Sequence, residues 1–349
     1  MRSRSRRATA TGAIFALTAM LPAPAGAAEA VADFYRGKTV EMIIGAAAGG
    51  GYDIAGRAVA RHLGRHIPGQ PGLIVRNMPG ATSLIMTNAL YNRSPRDGTV
   101  MGMPNNTIPL EPRLKLLAGA GNVAFDVNRF NWIGTPVQEP QVFWVWHTAP
   151  ARNFADLKTG KIIMGATAAS ADNYMLSHLM NQTLGTRMEF VTGYQGQSEI
   201  NLAVERGEIQ GNTTGLTNLV VTKADWIRQG KIRMLVQFGG ERVAEIKEVP
   251  AVVELAASDD DREIWRFFTS KFKMARPLAL PPEVPAERVK ALRDAFDATM
   301  RDPLFLDEAK QIGLQIDPLG GEAVRQLIAQ MQATPETLVE RLRRLLAAR

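Results

Sequence analysis

The apolar run at residues 39–44, Thr-Val-Glu-Met-Ile-Ile, ends at a turn made wholly of glycine and alanine, Gly45-Ala46-Ala47-Ala48-Gly49-Gly50-Gly51. Directly after it, Ile54, Ala55, Ala58, Val59, Leu63 and Ile67 recur on one helical face. A buried strand, a bare turn and an immediate helix start leave few folds open. They belong to α/β architectures, in which parallel strands are joined by right-handed helical crossovers. The same turn has a chemical meaning. The first N–H groups of a helix lack partners inside it, and the helix dipole favours negative charge there. Glycine lets a ligand come close to the main chain. The dinucleotide pattern G-x-G-x-x-G fails, because starting it at Gly49 puts Ile54 at its last position. The phosphate loop fails too, since Gly50 is followed by Gly51 and Tyr52 instead of Lys and Ser/Thr. The residues therefore allow a site for a small anion such as a carboxylate, or a tight turn with no ligand.

The motif does not stand alone. A strand at residues 73–75 leads into a second turn, Asn77-Met78-Pro79-Gly80-Ala81-Thr82, and a helix at 83–91. A third strand is expected at 99–103, after the turn Ser94-Pro95-Arg96-Asp97-Gly98. Residues 104–131 read as loop. A second alternating block follows, with strands at 132–133, 141–147, 161–164, 188–191, 208–211 and 231–236. Its turns are the small-residue loop 165–173, residues 193–197, and 212–214. Phe143, Trp144 and Trp146 suit sheet packing better than a ligand pocket. Past Gly240 the chain is expected to return to the first block. The rigid turn at 277–282 precedes a helix burying Val289, Leu292, Phe296 and Met300; two more follow, and the last opens at Thr334-Pro335-Glu336, a cap with proline at the first helical position. Arg341, Arg343 and Arg344 are expected on a solvated face. Two such blocks form either one dinucleotide-type sheet or two sheets facing each other across a cleft. Ligands sit beyond the carboxyl ends of the strands.

Composition narrows the function. The 349 residues fit about two domains, and 46% hydrophobic content supplies real cores. Four of the seven net positive charges are Arg2, Arg4, Arg6 and Arg7, and no basic block survives elsewhere, so nucleic-acid binding is not expected. Those arginines, the apolar stretch 13–21 and Ala25-Gly26-Ala27 read as a secretory signal covering residues 1–27, with Ala28 first in the mature chain. With no cysteine, thiol nucleophiles, disulfides and cysteine-held metals are excluded.

At four places the chain resembles the periplasmic solute-binding receptors of the tripartite tricarboxylate transporter family, the TctC or Bug type. Residues 48–57, Ala-Gly-Gly-Gly-Tyr-Asp-Ile-Ala-Gly-Arg, resemble its first loop. Residues 76–81, Arg-Asn-Met-Pro-Gly-Ala, resemble its second. Ser94-Pro95-Arg96-Asp97-Gly98-Thr99 resembles its turn before the third strand, and residues 191–196 resemble a Pro-Tyr-x-Gly turn in the second lobe. The resemblance spans nearly everything from Phe34 onward. It implies a two-lobed α/β binding protein of type II-like architecture, each lobe a mostly parallel sheet flanked by helices. The lobes hinge around a cleft, with lobe 1 at 28–135 plus 245–349 and lobe 2 at 136–244. It implies capture of a small organic carboxylate by main-chain amides and water, and delivery to membrane permease subunits by a monomer that needs no cofactor or metal. Carried over, the first loop contributes Gly49, Gly50, Gly51, Tyr52 and Asp53, and the second Pro79, Gly80, Ala81 and Thr82. The second lobe, which sets specificity, contributes Ala169, Ser170, Asp172, Gln195 and Thr213. Thr82-Ser83 stands where the family usually has more glycine, and the loop 166–172 departs from its glycine–serine pattern. Asp172 is expected to cap its helix, and Asp53 either to cap or to bind.

An exported enzyme and a sensory receptor for a membrane kinase are the rival readings. The first has little support. His62 and His66 lie four apart without the H-E-x-x-H pattern, no G-x-S-x-G elbow occurs, and His147 and His178 stand apart.

Overall fold

The computed structural model describes residues 25–117 and 121–348. The charged and apolar parts of the expected signal lie outside the described residues. Among the described residues eleven strands form two sheets. The first contains β1 (Thr39–Ile44), β2 (Gly72–Asn77), β3 (Val100–Met103), β4 (Asn131–Thr135), β10 (Leu278–Leu280) and β11 (Leu319–Gly320), ordered β11-β4-β10-β3-β1-β2. The second contains β5 (Gln141–Trp146), β6 (Ile162–Ala166), β7 (Met188–Thr192), β8 (Gly211–Gly215) and β9 (Ile232–Phe238), ordered β7-β6-β8-β5-β9. There are thus two separate sheets, which removes the single dinucleotide-type sheet. Each keeps a parallel unit, β3-β1-β2 in one and β7-β6-β8 in the other. Antiparallel strands complete both sheets, β10 and β11 in the first and β5 in the second, and of these β5 and β10 are reached by crossings from the other sheet.

The sequence explains the layering. Met42 and Ile44 of β1 pack on Ala58, Val59 and Leu63 of the helix Gly51–Leu63, and that layer continues to Leu292, Phe296 and Phe305. On the second sheet Trp144 joins Ile200, Val204 and Trp226 on one face, while Phe143 faces Leu176, Leu179 and Met180 on the other. The aromatic run of β5 is thus core, with Phe143 and Trp144 fully buried. Among the described residues no helix is long and apolar enough to cross a membrane.

Two expectations shift. The strand expected at 208–211 lies at Gly211–Gly215, a buried segment of glycine and small polar residues with no apolar run to announce it. Arg341 pairs with Asp261, and Arg343 donates to the Arg113 carbonyl and Glu336, so these two side chains fasten the last helix instead of facing bulk water. That helix, Glu336–Ala347, packs on the second-sheet helix Asp172–Leu184 as well as on residues 111–114. His62 and His66 join a charge cluster between two helices, the first contacting Glu308 at 2.6 Å and the second Asp302 at 2.7 Å.

Candidate functional site

Strands β1 and β2 are parallel and in register from Thr39 opposite Gly72 to Ile44 opposite Asn77. Their following loops therefore leave the sheet side by side at the carboxyl ends, where ligands of open α/β sheets bind. The loop after β3 leaves next to them.

The loops are fastened by buried side chains. Asp53 is buried at the third position of its helix and reaches back to accept the Gly49 N–H at 2.9 Å. It also accepts from Arg57 Nε at 2.9 Å and from Asn77 Nδ2 at 2.8 Å, and Asn77 donates further to the Ala46 carbonyl at 3.0 Å. Burial works to raise the Asp53 pKa, but the hydrogen bonds from Arg57, Gly49 and Asn77 outweigh it and hold the carboxyl below its usual range. Its acceptor sites are thereby spent on the protein. Asp53 organises both loops and offers little to a guest.

Ser83 is the second fastening. Its hydroxyl donates to the Gly45 carbonyl at 2.7 Å and accepts the Asn105 N–H at 3.0 Å, so one oxygen joins all three loops. Gly45 is required here, since a Cβ would stand 2.3 Å from that oxygen. The second loop is bent hard. Ala81, Thr82 and Ser83 all have positive φ, at 46°, 50° and 72°. Consecutive N–H groups in such a bend point inward and form an anion-binding concavity. A left-handed β-branched residue costs about 1–2 kcal/mol, against about 0.5–1 kcal/mol for the entropy of glycine. Thr82→Gly is therefore expected to raise stability by about 0.5 kcal/mol while weakening ligand binding. Urea unfolding and a binding isotherm measure the two separately, and a loss of stability would refute the strain argument.

The remaining predicted residues divide. Gly49, Gly50, Pro79 and Thr82 are exposed, and Gly80 and Ala81 half-buried, along the two loop rims. No backbone or side-chain acceptor takes the Gly50, Gly51 or Tyr52 N–H among the described residues. The Tyr52 hydroxyl accepts the Asn106 N–H at 3.0 Å, and burial pushes its pKa up to about 12, so it stays a neutral phenol. Asn106 in turn donates to the Lys271 carbonyl at 3.3 Å. Lys271 is 0% exposed and its ammonium group pairs with Asp172 from the second sheet. Asp172 is thus no helix cap: Ala171 occupies that position with no side-chain bond, and a cation 99 residues away has taken the carboxylate. Ala169 and Ser170 are exposed on the neighbouring loop. Gln195 lies on an exposed turn whose N–H is held by Glu199 at 2.6 Å. Thr213 is buried, with its hydroxyl 2.9 Å from Ser177, and faces the helix instead of the loops.

Sequence reasoning missed two residues between the sheets. Arg276 lies over the Tyr52 ring, 4.6 Å from its centre, and pairs with Glu139 at 3.0 Å. Both belong to the crossing segments, where Glu139 N–H bonds the Phe272 carbonyl and Ala275 N–H the Val137 carbonyl. A cavity of about 350 Å³ lies elsewhere on these crossings, lined by Gln138, Leu216, Phe238 and Phe272 and by none of the loop residues. Among the described residues no cluster of metal-binding side chains occurs.

Comparison with known proteins places this geometry. Residues 55–343 match the family model described as the tripartite tricarboxylate transporter family receptor, TctC. The match begins just after the first glycine loop. The chain is 24% identical over 342 residues to the UPF0065 protein in the gbd 5' region of Cupriavidus necator, covering 97% of each. Its fold is similar to that of a TctC solute-binding protein from Polaromonas, with TM-score 0.68, 21% identity, and coverage of 88% of this chain and 99% of that one. It is similar also to MatC from Rhodopseudomonas palustris, described with bound malate, with TM-score 0.58, 15% identity, and coverage of 88% and 99%. With the model matching most of its length, the chain belongs to the tripartite tricarboxylate transporter receptor family.

Proposed function

We propose that this receptor is exported to the periplasm, captures a small organic carboxylate between two lobes and hands it to membrane permease subunits of a tripartite transporter. The lobes are built on the two sheets and joined where residues 137–139 run beside 272–275; residues 250–269, expected in the first lobe, pack on β9 and on the helix Asp172–Leu184 and go with the second. The protein acts as a monomer, without cofactor or catalysis. The observation that carries the reading is the pair of loops at the ends of β1 and β2, fixed by Asp53, Asn77 and Ser83 with first-turn amides left over. Such amides favour an anion by about 0.3–1 kcal/mol per helix end at exposed sites, and more when partly buried. Gly49, Gly50, Gly51, Tyr52, Pro79, Gly80, Ala81 and Thr82 hold the carboxylate end. Ala169, Ser170 and Asp172 face the remainder when the lobes close by a hinge motion. The malate in the MatC structure agrees with this class of guest.

A thermal-shift screen with mono-, di- and tricarboxylates, aromatic acids and amino acids tests the reading. A ligand at one hundred times its Kd adds about 2.7 kcal/mol to native-state stability, which is readily visible. At least one carboxylate is expected to shift the transition. A shift by a nicotinamide cofactor and by none of the acids would overturn the reading in favour of an enzyme.

A further inference from the structure

The two loops supply amides and dipoles but no free full charge, because Arg57 is committed to Asp53 and Asn77. A full positive charge nevertheless stands at the mouth of the first helix. The Arg276 Nη2 atom lies 3.3 Å from the point where a side chain on Gly51 would begin. Its Nη1 is occupied by the Ala275 carbonyl at 3.1 Å and the Glu139 carboxylate at 3.0 Å. Its Nε is buried and makes no hydrogen bond. Of the three guanidinium nitrogens only Nη1 is therefore satisfied, while Nη2 has no partner among the described residues and sits beside the first turn of the helix. A guanidinium edge and convergent N–H groups match the planar, two-oxygen geometry of a carboxylate. The neighbouring Lys271 cannot serve, since its side chain is wholly buried and spent on Asp172.

We propose that Arg276 binds the ligand carboxylate directly, together with the Gly51 and Tyr52 amides, and that Glu139 competes with the guest for the same guanidinium. This rests on the carboxylate-receptor reading and adds a specificity-determining ion pair to it. Arg276 and Glu139 are only 15% and 19% exposed, so their charges are weakly screened and an added anion acts strongly on both. Tyr52 holds the arginine from below through its ring, which fixes the guanidinium plane against the helix mouth. Glycine at position 51 keeps that approach open.

The test is calorimetric titration of the full mature chain with acetate, malate and adipate, and with adipamide as an uncharged control. Arg276→Gln is expected to weaken every acid the wild type binds by about thirtyfold or more, and Arg276→Lys by less. Glu139→Gln removes the competing anion and is expected to tighten the same acids three- to tenfold, with adipamide unaffected by either change. If Arg276 only braces the crossing segments through Glu139, both substitutions break one ion pair and both weaken binding, which overturns the proposal. Should Arg276→Gln fail to fold, the direction of the Glu139→Gln effect decides alone. A wild type that binds acids while Arg276→Gln binds them equally refutes this inference and leaves the receptor reading standing. A wild type that binds no acid refutes both.

Discussion

Gly50→Val is expected to reduce carboxylate affinity at least a hundredfold without lowering the unfolding midpoint. The position separates function from folding cleanly. Gly50 has φ −84° and ψ 171°, an extended conformation open to any residue. A Cβ there meets nothing nearer than the Ala47 carbonyl at 3.8 Å, so the fold has room for it. The branched side chain projects from the exposed rim across which, in the proposed mode of binding, the guest approaches the first-turn amides. A carboxylate held 1 Å too far from two or three N–H donors loses most of each charge-assisted bond, and losing about 1.4 kcal/mol twice is already a hundredfold. Titration of the variant with the acids that bind the wild type measures the loss, and urea unfolding monitors the fold. Unaltered affinity would remove the glycine loop from the binding site.

Asp53→Ala should have the opposite profile, with stability and binding falling together. Its carboxylate holds Gly49, Asn77 and Arg57 at once. Bonds to a charged group contribute about 1.5–3 kcal/mol each. Arg57 is 40% exposed and regains water, so its share is discounted heavily. Asn77 keeps the Ala46 carbonyl. The net cost is about 2–3 kcal/mol, read from urea unfolding at neutral pH. The pH dependence has a definite sign. The folded pKa is depressed, so the stabilisation is fully present above the unfolded carboxyl value of about 4 and is lost as pH falls through the folded value. The gap between wild type and variant should therefore narrow only on acidification below about pH 4. A gap that is constant from neutral pH to well below that value would show that Asp53 contributes by packing alone.

The parts legible in the sequence are those written in local apolar runs. β1, β6 and β9 are short stretches of Val, Ile, Met and Leu, and they fall close to where the runs place them. The glycine turns were legible because glycine before a helical pattern has few uses. β8 was not, because its buried residues Asn212 and Thr213 satisfy themselves through Gln197 and Ser177 instead of through apolar packing. Asp172 looked like a cap because a cap is the local option, whereas its partner Lys271 arrives from a distant segment. Arg276 carried no signal at all. A single arginine before a proline has no pattern around it, and only the crossing of the chain between sheets brings it over Tyr52.

That crossing has a mechanical consequence. Glu139 and Arg276 are themselves part of the paired ribbon that joins the two lobes, the pivot of the closure proposed above. Seat and axle are therefore one piece of protein. If Arg276 takes the guest as proposed, a guest that draws the guanidinium towards the helix mouth would pull on the pivot itself, and occupancy would reach lobe angle without a relay through either domain's interior.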